Sequence, residues 1–530
     1  MRITVDEKTV EVAEGRTILQ ALDDAGLLMN GIDIPHYCWH PKLSIDGSCR
    51  LCKVEVEGMR ALQIACGTQV ADGMVVHTDS PRVRRAREAV MELLLVNHPL
   101  DCPICDQAGE CGLQDYAFEY GAVGARTREP RRALKKNTPL GTTVVLDQER
   151  CILCRRCVRF LDEVTDTREL GVFNRGDASV VDCLPGAPLD NDYSMNVADI
   201  CPVGALTTRD FRFKVRVWFL EELEGICSGC SRGCNVYAGV SNNEVQRYVP
   251  RRNDAVNDTW MCDAGRLSYR AIGAPDRLDH ASVRDAAGRL VPASIDAAVE
   301  EAARRLRAVL DEAGGGAIAG VASAHATNED LATFRDFLAA VGCEAFGVAV
   351  VRGESDDLLI CEEKAANASG ARSLGFANAA VVVDAIASGR VKALLALGHD
   401  LLADGYLGDV TDLAGLDAVV AIDLRHSPLQ RLAHVVIPCL HAAEKSGSVT
   451  NVDGRVQRLQ PLVKPVFEAQ ADGELLARLG AAMALPGFDG SPWCVRSVSR
   501  ELADRESAFS GADLDSLGSG GVNPVGAESG

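Results

Sequence analysis

Most cysteines of this 530-residue chain fall into four short-spaced groups, and all four groups lie before residue 263. Each group, with one histidine added to the second, offers four ligands for a metal centre. Closely spaced thiolates surround one small volume, as an iron–sulfur cluster or a thiolate-bound zinc requires. The ligand sets are, in chain order, Cys38, Cys49, Cys52 and Cys66; His98, Cys102, Cys105 and Cys111; Cys151, Cys154, Cys157 and Cys201; and Cys227, Cys230, Cys234 and Cys262.

Length and composition indicate a multidomain globular protein, with 47% hydrophobic residues and a mean hydropathy of +0.02. No segment has the apolar length needed to span a bilayer, and the start, MRITVDEKTVEV, lacks the zones of a signal peptide. We therefore expect a cytosolic or matrix-like location, where disulfides are rare and dense cysteine indicates metal. The net charge of −20 argues against nucleic acid as a partner.

The first half is predicted to contain small cysteine-bearing modules. Residues 2–12 alternate as a hairpin does, residues 17–25 have helical spacing, and residues 53–57 alternate again. Around the first cysteine set this pattern predicts a β-grasp ferredoxin-like unit. Ser80-Pro81 then begins a predicted helix that runs to Asn97 and places His98 at its end.

The second half is rich in alanine, glycine and valine and predicts α/β layers around a mostly parallel sheet. Residues 328–340 have helical spacing, and the chain from about residue 511 is small and polar, which predicts disorder. The apolar runs interpreted as strands are 316–321, 379–383, 392–397 and 417–422.

The first and third sets favour clusters over zinc. The first has the arrangement of a 2Fe–2S site, although its first gap is ten residues; a four-cysteine zinc knuckle is the alternative. The third ends in Cys-Pro, as bacterial 4Fe–4S runs do. Cys183 lies inside its long last gap, but Cys201 is the better candidate because Pro-Val-Gly-Ala follows it.

The second and fourth sets are less usual. Three cysteines leave a cubane cluster one ligand short, and His98 stands where the fourth is needed. A lone histidine is more often structural. As a ligand, a neutral imidazole in place of a thiolate would raise the cluster potential. The fourth set alone suits zinc or a 4Fe–4S cluster, and its place just before an α/β domain favours the cluster.

The order and spacing of these sets resemble the large iron–sulfur subunit of bacterial respiratory complex I, the NADH–quinone oxidoreductase. The resemblance covers at least residues 1–272 and includes IPHYCWHP, GSCRLCKVEV, NHPLDCPICDQAGECGLQD, CILCRRCVRF and ICPVGALT. It implies one 2Fe–2S cluster on the first set and a 4Fe–4S cluster on each of the other three. In the family the last cluster lies off the main electron route.

The second half resembles a molybdopterin-oxidoreductase fold through AHATNED at 324–330 and HVVIPCLHAAEKSGSVTNVDGRVQ at 434–457. Ala264 stands where active molybdenum enzymes usually have lysine or arginine, and the domain is short. The resemblance therefore implies a degenerate scaffold without molybdenum. The cysteines after Cys262 are expected to be solitary and far apart; they are Cys343, Cys361, Cys439 and Cys494.

Together these features predict an α+β multidomain chain. It has an N-terminal β-grasp 2Fe–2S ferredoxin-like domain, 4Fe–4S ferredoxin-like domains, and a truncated α/β molybdopterin-oxidoreductase-like domain. The predicted divisions are 1–80 for the 2Fe–2S domain, 81–140 for the His-Cys₃ domain, 141–220 for the ferredoxin-like 4Fe–4S domain, 221–275 for the molybdopterin-oxidoreductase-type 4Fe–4S domain, 276–510 for the degenerate α/β domain, and 511–530 for a disordered tail.

The resemblance implies an electron-transfer subunit of a proton-translocating NADH:quinone oxidoreductase, with no complete active site on this chain. Its partners would be the FMN- and NADH-binding flavoprotein subunit and other hydrophilic subunits of complex I. It would be peripheral, at the cytoplasmic face of the inner membrane, without direct membrane insertion. The alternatives are a subunit of a soluble NAD-linked hydrogenase or formate dehydrogenase, a molybdenum-dependent catalytic subunit, and a zinc-stabilised binding scaffold.

Overall fold

The computed structural model describes residues 1–122, 124, 126–399, 401–402, 405–408 and 413–524. These residues divide into two compact units, Met1–Leu220 and Glu221–Gly530. None of the helices in the described part of the chain is long and apolar enough to cross a membrane. The finer domain divisions stay predictions.

The first unit carries the first three ligand sets on short elements joined by long loops. Its strands and helices are β1 (Arg2–Val5), β2 (Lys8–Glu11), α1 (Ile18–Asp24), β3 (Lys53–Val56), β4 (Gln63–Ile64), β5 (Val75–His77), α2 (Pro81–Leu95), α3 (Gly112–Tyr120), β6 (Thr138–Pro139), β7 (Val144–Leu146), α4 (Arg156–Glu163), β8 (Leu170–Phe173), β9 (Val180–Cys183), α5 (Asn196–Asp199) and β10 (Leu206–Thr208).

A mixed sheet with one helix packed on it opens the first unit, as predicted. Its strand order is β2-β1-β5-β3-β4. Thr17 begins α1 through a capping box with Gln20, and the helix buries Leu22 in the same apolar core as Cys52 and Cys66. The core of the β-grasp fold thus contains half of the first ligand set.

Two helices frame the second ligand set. The predicted Ser80 cap is present, since its side chain accepts from the Val83 amide at 3.3 Å, and α2 ends three residues before His98. Arg87, in the middle of α2, is buried and donates to the Tyr120 hydroxyl of α3 at 2.8 Å. This bond fixes α3, which begins directly after Cys111, against α2.

The second unit carries the fourth set and a large α/β sheet. Its elements are β11 (Glu221–Ile226), β12 (Asn235–Ser241), β13 (Glu244–Pro250), α6 (Asp263–Leu267), β14 (Ala281–Arg284), β15 (Leu290–Ala293), α7 (Ile295–Ala313), β16 (Ile318–Ser323), α8 (Asn328–Val341), β17 (Ala345–Ala349), α9 (Ala368–Ser373), β18 (Ala377–Asn378), α10 (Ala380–Ala387), β19 (Ala393–Leu397), β20 (Ala418–Asp423), β21 (Val435–Pro438), β22 (Gly447–Thr450), β23 (Val456–Leu459), α11 (Asp472–Ala482) and α12 (Val495–Arg505).

The eight-stranded sheet has the order β15-β14-β21-β20-β19-β16-β17-β18. From β21 to β18 neighbouring strands are parallel, whereas the β14–β15 hairpin joins β21 antiparallel. Strands β16, β19 and β20 are buried along their whole length, as the strands of a parallel sheet covered by helices are. Three of the four predicted apolar strands are found here.

Two predictions for the second unit are wrong. The run 379–383 belongs to α10, because its apolar spacing continues through Ala385 and Ile386, which are buried together with Val382 at helical intervals. The tail is ordered over 511–524. Three of its apolar side chains are in the main core, namely Ala512, Leu514 and Leu517. Residues 525–530 lie outside the described residues.

Candidate metal centres

The first ligand set is a tight cluster of thiols at the edge of the β-grasp core. The Cys38 and Cys49 sulfurs lie 3.4 Å apart, and the Cys66 thiol contacts those of both Cys38 and Cys52. Arg50, with φ of 58°, turns the backbone back between Cys49 and Cys52. The structure therefore brings all four predicted ligands of this set together.

Three of the four residues of the second set line a cavity of about 420 Å³. His98, Cys102 and Cys111 line this cavity, and the charges of Cys102 and Cys105 act on the Cys111 thiol. Burial lowers the pKa of His98 to about 4, and the nearby Arg150 charge acts in the same direction. At neutral pH the imidazole is therefore uncharged, which is the form that binds metal.

The third set is built from one loop and one distant residue. Leu153 and Arg155 both have left-handed backbone angles, and the Leu153 amide donates to the Cys151 sulfur at 3.4 Å. Burial first, and then neighbouring thiolate charges, raise the pKa of Cys154 and of Cys201 to about 11. Cys201 thus joins the loop thiols across the long gap in sequence.

Cys183 is not among the thiols that the structure brings together in the third set. It is half-buried at the end of β9, and its thiol donates to the Leu140 carbonyl at 3.3 Å. The thiols whose charges act on Cys157 are those of Cys151, Cys154 and Cys201. This arrangement favours Cys201 over Cys183 as the fourth ligand.

The fourth set closes around a glycine on α6. The Gly265 amide donates to the Cys262 sulfur at 3.3 Å, and the Gly229 amide points to the Cys227 sulfur at 3.5 Å. A Cβ atom on Gly265 would lie 3.1 Å from the Cys227 sulfur and 3.2 Å from that of Cys262. These amides approach the sulfurs as hydrogen-bond donors to bound thiolates do.

One cysteine expected to be solitary is beside this set. The Cys361 thiol hydrogen-bonds the Cys230 thiol, although 130 residues separate them in the sequence. The expectation that Cys361 stands alone is therefore wrong. No local spacing pattern connects the two residues, since their contact depends on the tertiary fold.

The third set has contacts with both the first and the second. Arg156 on α4 donates to the Trp39 carbonyl at 2.5 Å, next to Cys38, and to the Ile200 carbonyl at 3.2 Å, next to Cys201. Arg159, one turn further along α4, donates to the carbonyls of both Cys38 and Cys154. The same helix therefore joins the first set to the third.

The second set also contacts the third. Arg150, which precedes Cys151, is buried and forms an ion pair with Asp101 at 2.9 Å, beside Cys102. A Cβ atom on Gly204, three residues after Cys201, would overlap the Cys105 sulfur. These bridging arginines were not predicted from the sequence, although they stand beside the cysteines of CILCRRCVRF.

The chemistry of these sites suits clusters. Across the described residues, no three His, Cys, Asp or Glu side chains are placed to hold one metal ion. The ligand sulfurs are largely buried and several accept backbone N–H groups, so the four sets fit iron–sulfur clusters.

A cavity of about 380 Å³ in the second unit lies at the carboxyl ends of β16, β19, β20 and β21. In an α/β sheet this edge is where ligands usually bind. Among the described residues the lysines and arginine that line it are engaged within the chain. Lys445 pairs with two buried carboxylates, Arg425 with Asp276, and Lys364 with backbone carbonyls. These residues do not fit a phosphate-bearing pterin cofactor.

Four family models match the chain. They are the 2Fe-2S iron-sulfur cluster binding domain (residues 1–81), the NADH-ubiquinone oxidoreductase-G iron-sulfur binding region (87–125), the NADH-quinone oxidoreductase subunit 3 ferredoxin-like domain (141–207), and molybdopterin oxidoreductase (351–482). The matches confirm the predicted fold class, from the β-grasp domain to the molybdopterin-oxidoreductase-like one.

Several relatives of the chain are NADH-quinone oxidoreductase subunits. The chain is 39% identical over 348 residues to the NADH-quinone oxidoreductase subunit designated G in Rickettsia bellii, covering 66% of this chain and 49% of that protein. It is 40% identical over 308 residues to the subunit with the same designation in Streptomyces coelicolor, covering 58% and 36%. The chain thus spans about half or less of the length of these curated relatives.

Among solved structures, a chain of the NAD⁺-reducing [NiFe]-hydrogenase in its H₂-reduced state is similar. Sequence identity is 30%, and the match covers 41% of this chain and 90% of that one, with a TM-score of 0.36.

Proposed function

Because the chain belongs to the family of the large iron–sulfur subunit of NADH–quinone oxidoreductase, we propose that it is an electron-transfer subunit of that complex. In this proposal it relays electrons from NADH and FMN, held by a partner flavoprotein subunit, toward quinone, and the relay is coupled to proton translocation. The chain contributes no complete active site of its own.

The proposed cofactors are one 2Fe–2S cluster on the first set and one 4Fe–4S cluster on each of the other three, without molybdenum. Clusters bound at these sites would supply one-electron oxidation and reduction. The proposed 2Fe–2S ligands are Cys38, Cys49, Cys52 and Cys66. The proposed 4Fe–4S ligands are His98, Cys102, Cys105 and Cys111; Cys151, Cys154, Cys157 and Cys201; and Cys227, Cys230, Cys234 and Cys262.

The observation that carries the proposal is the half-buried Arg156, which lies near thiols of two of the sets. The Arg156 side chain is within electrostatic reach of Cys38 and Cys49 in the first set and of Cys154 and Cys201 in the third. Because one side chain interacts electrostatically with thiols of both sets, the two sites must be neighbours. Neighbouring sites are what electron transfer from one cluster to the next requires.

The third set has contacts with both the first and the second, and this supports the order first, third and second. The link to the second set is the Arg150–Asp101 ion pair and the close approach of Gly204 to Cys105. We propose that this is also the order of electron transfer. The order along the sequence is therefore not the order of function.

Within this order the chain's own residues set the redox properties of each site. Burial of the ligand sulfurs favours the cluster state with less charge, while backbone N–H donors and nearby arginines stabilise added negative charge. Arg150 and Arg156 place positive charge beside the second and third sets. The neutral His98 removes one negative charge from the second site, and this favours its reduced state.

We further propose that the chain assembles with the flavoprotein and other hydrophilic subunits of complex I. It would then be peripheral, at the cytoplasmic face of the inner membrane, and held there through its partners. Copurification separates this from the soluble alternatives. Recovery with hydrogenase or formate dehydrogenase subunits, in place of quinone-reducing ones, would contradict the assignment to complex I.

The first test is iron content. Anaerobically prepared chain should be brown and contain about 14 iron atoms, as one 2Fe–2S and three 4Fe–4S clusters require. A colourless protein with stoichiometric zinc would refute electron transfer altogether.

The second test addresses the order. In the assembled complex, Cys157→Ala should remove the third cluster. Freeze-quenched EPR after NADH addition should then show the first cluster reduced while the second stays oxidised. Cys234→Ala in the fourth set is the matched control and should leave reduction of the second cluster unchanged. Normal reduction of the second cluster in Cys157→Ala would overturn the proposed order.

A further inference from the structure

A hairpin-like segment of the second unit, residues 351–364, lies beside the fourth ligand set. Its two sides are joined by backbone bonds, from the Gly353 amide to the Glu362 carbonyl and from the Lys364 amide to the Val351 carbonyl, each 2.9 Å long. At its tip the Asp356 carboxylate accepts three backbone amides. The segment therefore has a defined shape.

The segment is attached to the loop that carries Cys230. The amide of Ser231, the next residue, donates to the Glu363 carbonyl at 2.9 Å. Ser231 is 1% exposed, so this bond is shielded from water. The Lys364 ammonium donates to the Cys361 carbonyl at 2.9 Å and holds that residue in place. The Ser231–Glu363 backbone bond thus holds the segment that carries Cys361 beside the loop that carries Cys230, with the two thiols in contact.

The site consequently has five thiols for four ligand positions. A 4Fe–4S cluster takes one ligand per iron, and the thiol in hydrogen-bond contact with Cys230 is the one best placed to reach the iron that Cys230 would bind. The other three ligands of the set are tied to different backbone segments. The Cys227 amide donates to the Cys234 carbonyl, and the Cys262 side chain caps α6.

We propose that Cys361 is a reserve ligand of the fourth site, able to replace Cys230 on the same iron. This inference rests on the proposed function, since it assumes that the fourth set holds a cluster. The exchange involves no net oxidation. The Cys361 thiol loses its proton as its sulfur binds iron, and the departing Cys230 thiolate takes up one proton.

Iron content of the full chain tests the proposal. Alanine is the substitution of choice because its side chain offers no ligand atom. Cys230→Ala should keep about 14 iron atoms per chain, because Cys361 takes the empty position. Cys230→Ala combined with Cys361→Ala should lose about four of them. Cys361→Ala alone should keep the full content, because Cys230 is then the ligand.

Cys234→Ala is the matched control, since the thiols whose charges act on Cys234 are those of its own set. It should lose about four iron atoms. If Cys234→Ala keeps its iron, the fourth set does not bind a cluster, and that part of the proposed function is wrong. If Cys234→Ala and Cys230→Ala lose iron equally, only the reserve-ligand proposal is overturned. EPR signals of the other clusters report whether each variant is folded.

Alkylation gives a second readout that does not depend on iron analysis. In the wild-type holoprotein, iodoacetamide followed by peptide mass spectrometry should label Cys361 and spare Cys230. In Cys230→Ala, labelling of Cys361 should fall at least fivefold, because its sulfur is bound to iron. Undiminished labelling of Cys361 in that variant would refute the exchange.

Discussion

Replacing Gly265 by alanine tests how closely the protein backbone approaches the fourth site. A Cβ atom there would lie 3.1 Å from the Cys227 sulfur and 3.2 Å from the Cys262 sulfur. Ordinary non-bonded contacts lie at about 3.5 Å or more. One or both sulfurs must therefore move by about 0.3–0.4 Å, whereas metal–ligand distances tolerate about 0.2 Å.

The helix propensity of alanine acts in the opposite direction. Gly265 lies inside α6, where glycine destabilises a helix by about 0.5–1 kcal/mol relative to alanine. If the helix alone mattered, the variant would be slightly more stable and fully loaded. Because the overlap involves two ligand sulfurs at once, we expect the steric effect to win, with a loss of about two to four iron atoms per chain.

Gly229→Ala is the matched control for this experiment. Its Cβ atom would lie 3.5 Å from the same Cys227 sulfur, which is ordinary contact. This variant should keep its iron and the EPR signal of the fourth cluster. The assay is iron content with EPR on anaerobic protein, together with thermal unfolding. Full iron content and raised stability in Gly265→Ala would refute the reasoning.

Three further substitutions test charge and ligation. His98→Cys should keep a second cluster but lower its midpoint in an EPR redox titration, because a thiolate adds the negative charge that the neutral imidazole lacks. Lys445→Met should destabilise the second unit by about 3–5 kcal/mol, since it leaves the buried Asp330 and Asp472 carboxylates without their cation; chemical denaturation measures this. Burial raises the pKa of Glu329 to about 7, so the wild type should lose stability as pH rises from about 4.5 to 7, by at most about 3 kcal/mol, and Glu329→Gln should remove that loss.

Each of these three predictions has a control variant or an outcome that would contradict it. An unchanged midpoint in His98→Cys would exclude His98 as a ligand. Lys464→Met, at an exposed position, should leave the denaturation midpoint within experimental error. For Glu329 the sign follows from linkage: between pH 4.5 and 7 the folded chain binds a proton that the unfolded chain has released. A wild-type minus Glu329→Gln difference that does not vary with pH would refute the raised pKa.

The ligand sets could be predicted because most of their members are close in sequence. Cysteines two or three residues apart must share one loop, so the spacing itself limits where their sulfurs can go. Helix caps could be predicted for the same reason. Thr17 and Ser80 begin helices through bonds that span only a few residues.

Contacts between distant segments could not be predicted in this way. The pairing of Cys361 with Cys230 depends on how the 351–364 segment packs against the fourth set. The small polar residues of the tail predict disorder, yet Leu514 and Leu517 pack in the core. The run 379–383 shows a further limit. Its valines favour a strand locally, whereas burial along one helical face determines the result.

The segment from Cys201 to Gly204 belongs to two sites at once. It completes the third site with a sulfur and at the same time forms one wall of the second site beside Cys105. The shape of the second site therefore depends on the same short segment that supplies a ligand to the third. A change that displaces this segment alters both sites at once.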